Sequence, residues 1–287
     1  MMPKHFFRLR SATFAAVMLL VGCVHQPIAM TAAPQFNPER VAAVDHAVEA
    51  AIADRRLPGA VYHLERGGAI YERGYGRLSY DEDAAAVARD TVFDVASLSK
   101  VLVTAPAVLM LAEEGKIDLE APLVRYFAEC GGGGKEAITI RHLLTHVSGL
   151  KSGLPAKPAW QGQTAALSLA CGQSVTHPPG SFFRYSDINY ILLGLLVERT
   201  AGMPLDRFAQ ERIFAPLGMR HTGYRPLERM AAAVIAPTQR GASKAAQLPT
   251  AHGDLAPGAP LQGVVHDPTV RRMGGVAGSA GVFSTVG

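Results

Sequence analysis

Ser97-Leu98-Ser99-Lys100 sets a hydroxyl and an amine three residues apart at the start of a long apolar run. On a helix that spacing puts both groups on one face, about a turn apart. A serine is a poor nucleophile until a base takes its proton, and a lysine serves as that base only where desolvation lowers its pKa from about 10.4. The apolar Val101, Leu102, Val103, Ala105, Val108, Leu109 and Leu111 supply such surroundings. A helix start also favours negative charge developing on the serine. Taken alone, a Ser-x-x-Lys pair arises easily by chance, so its meaning depends on what accompanies it.

The pair sits in Phe93-Asp94-Val95-Ala96-Ser97-Leu98-Ser99-Lys100, and Pro179-Gly180-Ser181-Phe182-Phe183-Arg184-Tyr185-Ser186-Asp187 follows downstream. Between them lies Ile138-Thr139-Ile140-Arg141-His142-Leu143-Leu144-Thr145-His146-Val147-Ser148-Gly149-Leu150, and later come Tyr190-Ile191-Leu192-Leu193-Gly194 and Pro216-Leu217-Gly218-Met219. In this order the strings resemble the serine β-lactamase and penicillin-binding protein superfamily, in its class C β-lactamase-related branch. The resemblance covers residues 41 to 287. It implies an α+β, β-lactamase/transpeptidase-like fold, a helical region with an antiparallel sheet.

By that resemblance Ser97 is the nucleophile, Lys100 its base partner, and Tyr185 the relay that hands a proton to the leaving group. Asp187 stands where the second motif more usually has Asn. It is read as a substrate-binding position that can accept a hydrogen bond from Lys100, and its negative charge, which favours the ammonium, argues against strong β-lactamase activity. His142 and His146 have a four-residue spacing that metals use, but the family pattern accounts for them as structural, and no Cys/His cluster has zinc spacing. Neither metal nor cofactor is expected. The Gly-rich stretch from Gly274 to Ser284 resembles the segment that approaches the active site in peptidase-like and esterase-like members, with Ser279 where histidine is common.

These residues need elements to hold them. Val41, Val44, Val48 and Ile52 repeat at helical spacing within Arg40 to Ala53. Alternation around Gly67-Gly68 predicts a hairpin over Gly59 to Gly74, and two strands alone need sheet neighbours. Thr91 to Glu114, with Asp94 and Ser97 offering caps, reads as one buried helix in which Pro106 makes a bend or leaves a carbonyl free and which Gly115 stops. Further helices are expected over Ile140–Leu144, Thr164–Ala170, Tyr190–Glu198 and Leu205–Ile213, with loops at Gly131–Gly134 and Pro155–Pro158.

A strand carrying Lys-Thr-Gly or His-x-Gly completes the site in this superfamily. Lys151-Ser152-Gly153 precedes Tyr185, and His221-Thr222-Gly223 follows a helix end outside any strand pattern, so both are read as imitations. Ser284 or Thr285 reads as the cap of a further helix, so the chain is expected to be truncated before the third motif. An essentially inactive, poorly stable 287-residue form follows from that expectation, because an oxyanion donor and strand neighbours would be missing.

At the other end, Lys4, Arg8 and Arg10 precede an apolar run from Ala12 to Val21, too short to span a bilayer stably. Residues 1–22 read as a lipoprotein signal peptide and Leu20-Val21-Gly22-Cys23 as a lipobox, with Cys23 the lipidation site and 23–40 a tether to the serine hydrolase domain at 41–287. Val24, with no Asp at that position, leans toward the outer membrane. Removing residues 1–22 leaves 25 basic against 24 acidic residues, a balance with no electrostatic reason for nucleic-acid binding. Cys130 and Cys171 remain, and sequence leaves open whether they pair.

The expected partners are a peptidoglycan-like peptide, a β-lactam or a small ester, with membrane attachment through the lipid. Two functions follow from the resemblance. The first is a serine hydrolase acting by an acyl-enzyme on amide or ester bonds, of D-Ala-D-Ala carboxypeptidase, esterase or β-lactamase type. The second is a non-catalytic lipoprotein that binds penicillin or peptidoglycan. Cys23→Ala should move the protein from the membrane to the soluble periplasmic fraction, read by fractionation and immunoblot; unchanged membrane association would remove the lipid-anchor reading.

Overall fold

A computed structural model describes residues 36–238 and 260–287. The segment read as a signal peptide, Cys23 and most of the segment read as a tether lie outside the described residues. Helix α1 spans Pro38–Ala53, so it begins inside the segment expected as tether. Asn37 sets that start: its side chain accepts the Arg40 N–H, and Pro38 occupies the first turn, where a missing N–H costs nothing.

Strands β1 (Gly59–Arg66) and β2 (Ala69–Gly76) form the expected hairpin, paired from Gly59↔Gly76 to Arg66↔Ala69. Gly67 and Gly68 both have positive φ, 55° and 83°, which a two-residue turn matched to strand twist requires. The hairpin is a separate two-stranded sheet whose face is held by α1. Asp45 of α1 accepts hydrogen bonds from Tyr71 (2.7 Å), Tyr75 (2.5 Å) and Arg73 (2.8 Å). These bonds hold its carboxyl below the usual range, the Tyr75 hydroxyl foremost.

The second sheet has the order β3-β5-β4, from β3 (Phe93–Asp94), β4 (Gly223–Tyr224) and β5 (Val282–Ser284), all antiparallel. Two expectations are corrected here. Ser284 lies in a strand opposite Phe93 instead of capping a helix, and Gly223 of the His221-Thr222-Gly223 string enters a strand opposite Phe283. Thr222 is buried and its Oγ1 lies 2.7 Å from Ser284 Oγ, a pairing across the sheet that periodicity in three residues cannot reveal.

The stretch read as one buried helix from Thr91 to Glu114 is four elements: strand β3, a 3-10 turn at Ala96–Leu98, a widened five-residue turn at Lys100–Thr104, and α2 at Ala105–Glu113. Pro106 explains the division. It offers no N–H to the turn behind it and its ring crowds the Leu102 carbonyl, so the chain widens upstream and regular helix begins with the proline in its first turn. One face enters the core through Val103, Ala107, Val108 and Leu111, while Leu98 and Val101 are exposed.

Helices α3 (Ile140–Leu144), α4 (Gln163–Cys171), α5 (Asp187–Ala201) and α6 (Leu205–Ala209) surround that core, and the short α7 (Pro268–Arg272) packs on a second cluster around Ile191 and Phe283. Helix α5 is apolar all round, with Ile188, Ile191, Leu192, Leu193, Leu196 and Val197 buried, as suits a central helix. A Cβ on Gly278 would lie 2.1 Å from the Tyr190 carbonyl oxygen, and one on Gly194 2.7 Å from the Gly278 nitrogen. This backbone contact docks the segment leading to β5 onto α5.

Cys130 and Cys171 form a disulfide that ties the 3-10 turn Ala128–Cys130 to the end of α4. Buried Lys135 reinforces the same junction, donating to the carbonyls of Gly132 (2.6 Å) and Gln173 (2.7 Å).

Replacing both cysteines by serine should lower unfolding stability by about 4 kcal/mol, the chain-entropy value for a loop of this length; equal denaturation midpoints for parent and variant would remove the bond from the stability account. Gly278→Ala should cost about 1–3 kcal/mol by overpacking rigid backbone against backbone. Urea unfolding tests it, and an unchanged midpoint would show that the loop relaxes freely.

Candidate active site

The turn that carries Ser97 is built by its neighbours. Val95 N–H bonds the Val282 carbonyl (3.0 Å), which anchors the turn to β5. Ala96 then takes a left-handed conformation, φ 48°, unfavourable for a residue with a Cβ. Asp94 holds it there: Oδ1 accepts the Ala96 N–H (2.8 Å) while Oδ2 accepts the His266 N–H (2.7 Å). Burial pushes the Asp94 carboxyl up against the opposing effect of these bonds. Ser99, fully buried, donates to the Ala96 carbonyl (2.7 Å) and accepts the Val282 N–H (3.0 Å), locking the turn to the strand from its inner side. Ser97 is left exposed at the surface of this braced loop.

Lys100 points from the same turn into the protein, and its side chain is only 4% exposed. Its Nζ lies 3.0 Å from Ser97 Oγ, 2.7 Å from Asp187 Oδ1 and 2.8 Å from the Ser279 carbonyl oxygen. Two lasting acceptors and one hydroxyl match an amine: as an ammonium it donates to all three, and as a neutral amine it keeps two donors engaged while its lone pair faces the Ser97 hydroxyl. Thr104, one turn on, donates to the Gly278 carbonyl (2.8 Å) and so sets the strand approach that presents Ser279.

The second motif enters from the N-terminus of α5. Ser186 caps that helix, accepting the Asn189 N–H (3.4 Å) and donating to the Lys151 carbonyl (2.6 Å), while Asp187 N–H bonds the Ser152 carbonyl (2.7 Å). The Lys151-Ser152-Gly153 string, set aside as an imitation of the third motif, therefore braces the second motif through its backbone. Its Lys151 side chain faces solvent. The Tyr185 ring lies with its centroid 4.9 Å from Lys100 Nζ, a cation–π distance, and is 45% exposed. Among the described residues no hydrogen bond links the Tyr185 hydroxyl to Ser97 or Lys100.

Ser97, Lys100 and Asp187 are thus joined through one nitrogen, and Tyr185 lies beside them. Cys23 falls outside the described residues. His142 and His146 diverge: His142 Nδ1 accepts the Thr139 N–H (3.2 Å) in a capping box, whereas His146, with φ 59°, turns toward Tyr185. Among the described residues no cluster of three metal-ligating side chains occurs. Sequence reading missed the contributions of the Ser279 carbonyl, Asp94 as clamp of Ala96, and His146. Asp94 carried a signal, since a carboxylate two residues before a turn amide often accepts from it. The Ser279 carbonyl carried none, because any residue type offers one.

A family profile described as Beta-lactamase matches residues 44–287. The chain is similar to proteins named "Putative D-alanyl-D-alanine carboxypeptidase" from Escherichia coli O157:H7, 29% identical, covering 95% of this chain and 68% of that protein, and from Salmonella schwarzengrund, 28% identical, covering 97% and 69%. Among solved structures, a class C β-lactamase from Rhodobacter sphaeroides aligns with TM-score 0.65 at 25% identity, over 85% of this chain and 62% of that one. The octameric penicillin-binding protein homologue from Pyrococcus abyssi aligns with TM-score 0.65 at 22% identity, over 86% and 54%. The chain therefore spans 62% of the class C structure and 54% of the penicillin-binding protein homologue. With its profile match across residues 44–287 and its β-lactamase/transpeptidase-like arrangement of helices and small antiparallel sheets, the chain belongs to the β-lactamase family.

Proposed function

We propose that the full-length protein is a serine hydrolase that cleaves amide or ester bonds through an acyl-enzyme on Ser97. The observation that carries this reading is the Lys100 amine, 3.0 Å from Ser97 Oγ and held from behind by Asp187 and the Ser279 carbonyl. As a neutral amine Lys100 takes the Ser97 proton while Oγ attacks the substrate carbonyl carbon. The resulting ammonium meets Asp187 and a carbonyl dipole already in place, so no reorganisation accompanies the charge. Collapse of the tetrahedral species breaks the bond to the leaving amine or alkoxide, and the proton on the Lys100 ammonium passes to it by way of the Tyr185 hydroxyl, which returns Lys100 to the neutral amine. Water then attacks the Ser97 ester, releasing the acid and restoring the hydroxyl.

The names of the curated relatives favour a D-Ala-D-Ala peptide as substrate class, with β-lactams and small esters as chemically nested alternatives. Export as a lipoprotein, anchored at Cys23 and facing the periplasm with a lean to the outer membrane, is part of the same reading. Disulfide Cys130–Cys171 supports it, since such bonds persist in oxidising compartments.

A fluorescent penicillin and a fluorophosphonate probe test the proposal. Labelling should occur on Ser97 by peptide mass spectrometry and fall to background in Ser97→Ala. A label that fades with time indicates turnover, a lasting one the penicillin-binding alternative; an adduct that survives in Ser97→Ala would remove Ser97 as the nucleophile.

A further inference from the structure

His146 grips both flanks of Tyr185. Its carbonyl accepts the Arg184 N–H (2.9 Å), its Nδ1 accepts the Ser186 N–H (3.1 Å), and its ring lies against the Tyr185 ring with centroids 4.5 Å apart. The left-handed backbone at His146, φ 59°, lets one residue turn both its carbonyl and its ring toward residues 184–186. Because Nδ1 accepts a backbone N–H, the imidazole is neutral with its proton on Nε2.

We propose that His146 is a positioning residue for the reaction: its neutral ring holds Tyr185 and the start of α5 against Lys100, and its protonation releases them. This rests on the reading of Tyr185 as proton relay. A proton on Nδ1 would face two donors, the Ser186 N–H and the Asn189 side-chain amide 3.3 Å away. Neither can turn aside, since Ser186 caps a helix and Asn189 Oδ1 is held by the Ser148 hydroxyl at 2.6 Å. The charged and titratable groups around the ring act in the same sense overall. Burial lowers the His146 pKa below its ordinary value, Lys100 on the widened turn lowers it further, and Asp187 on α5 opposes them. Tyr185 and Phe183 on the preceding loop and Tyr190 on α5 complete the aromatic surroundings. Arg184 faces away, its guanidinium bonded to Thr176 Oγ1 at 3.0 Å.

The sign follows from linkage. A histidine with a depressed folded pKa favours the folded arrangement in its neutral form. That contribution is present above the unfolded value, near 6.5, begins to be lost as pH falls through it, and is exhausted below the lower folded value.

The test uses the full chain with carbon-13 histidine and tyrosine, followed by NMR from about pH 4.5 to 8, together with the rate of Ser97 labelling over the same range. His146 should titrate below the ordinary histidine value, and the Tyr185 ring resonances should shift with the same midpoint. His146→Asn keeps an acceptor near the Nδ1 position and tolerates the left-handed backbone, but does not titrate. It should therefore label faster than His146→Ala near neutrality, lose the Tyr185 transition, and lose the step in labelling that shares the His146 midpoint. His146→Ala should label about 10-fold to 100-fold more slowly, as misplacement of a reacting group does. Tyr185 resonances indifferent to His146 titration, or a step in labelling at the His146 midpoint that is retained in His146→Asn, would overturn the proposal. Absence of any Ser97 label in the parent would count against the hydrolase reading alone, and the NMR transition would still decide the role of His146.

Discussion

The Lys100 side-chain nitrogen is the point on which this architecture depends. A lysine so nearly excluded from solvent is costly as a charge unless acceptors replace its water. The protein brings them from three places: Ser97 on the same turn, Asp187 at 87 residues' remove on α5, and the Ser279 carbonyl at 179 residues' remove on the approach to β5. Each acceptor is itself tied down, so the amine is placed by the joint packing of a turn, a helix and a strand.

Much of the unusual backbone follows from serving that nitrogen. The lysine sits at the head of a widened turn because Pro106 forbids regular helix immediately ahead of it. Ser279 comes within reach because Gly278 and Gly194 let the β5 approach lie directly on α5, where a Cβ on either would collide with backbone. Asp187 is delivered at a helix N-terminus, capped by Ser186 and braced by the carbonyls of Lys151 and Ser152. The strained Ala96 presents Ser97 outward while Asp94 and Ser99 hold the loop on either side, an arrangement in which local strain is offset by well-made bonds nearby.

The same economy of contacts extends to the aromatic side of the site. His146 links α3's C-terminal end to the segment bearing Tyr185, and the Tyr190 hydroxyl reaches back to the Leu144 carbonyl (3.1 Å). The central helix α5, the backbone around His146 and the approach to the short three-stranded sheet are separated in sequence, yet all bear on the placement of one tyrosine ring and one amine.

The amino-acid sequence by itself determined the parts whose causes are local. The hairpin around Gly67-Gly68, the extent of α3 and the pairing of Ser97 with Lys100 follow from turn chemistry, periodicity and spacing within a few residues. Linked motifs in the right order also made Tyr185 and Asp187 legible as site residues, though not how they would sit. Only the tertiary structure decided that Cys130 meets Cys171, that Ser284 joins a strand, that Gly223 opposes Phe283, and that His142 and His146 part company. Those outcomes depend on contacts between segments tens to hundreds of residues apart, and on backbone carbonyls and conformations that leave no trace in residue type. Asp187 marks the boundary. Its identity was plain in the sequence, but its place as counter-ion to Lys100 exists only because α5 and the turn carrying Ser97 pack against each other.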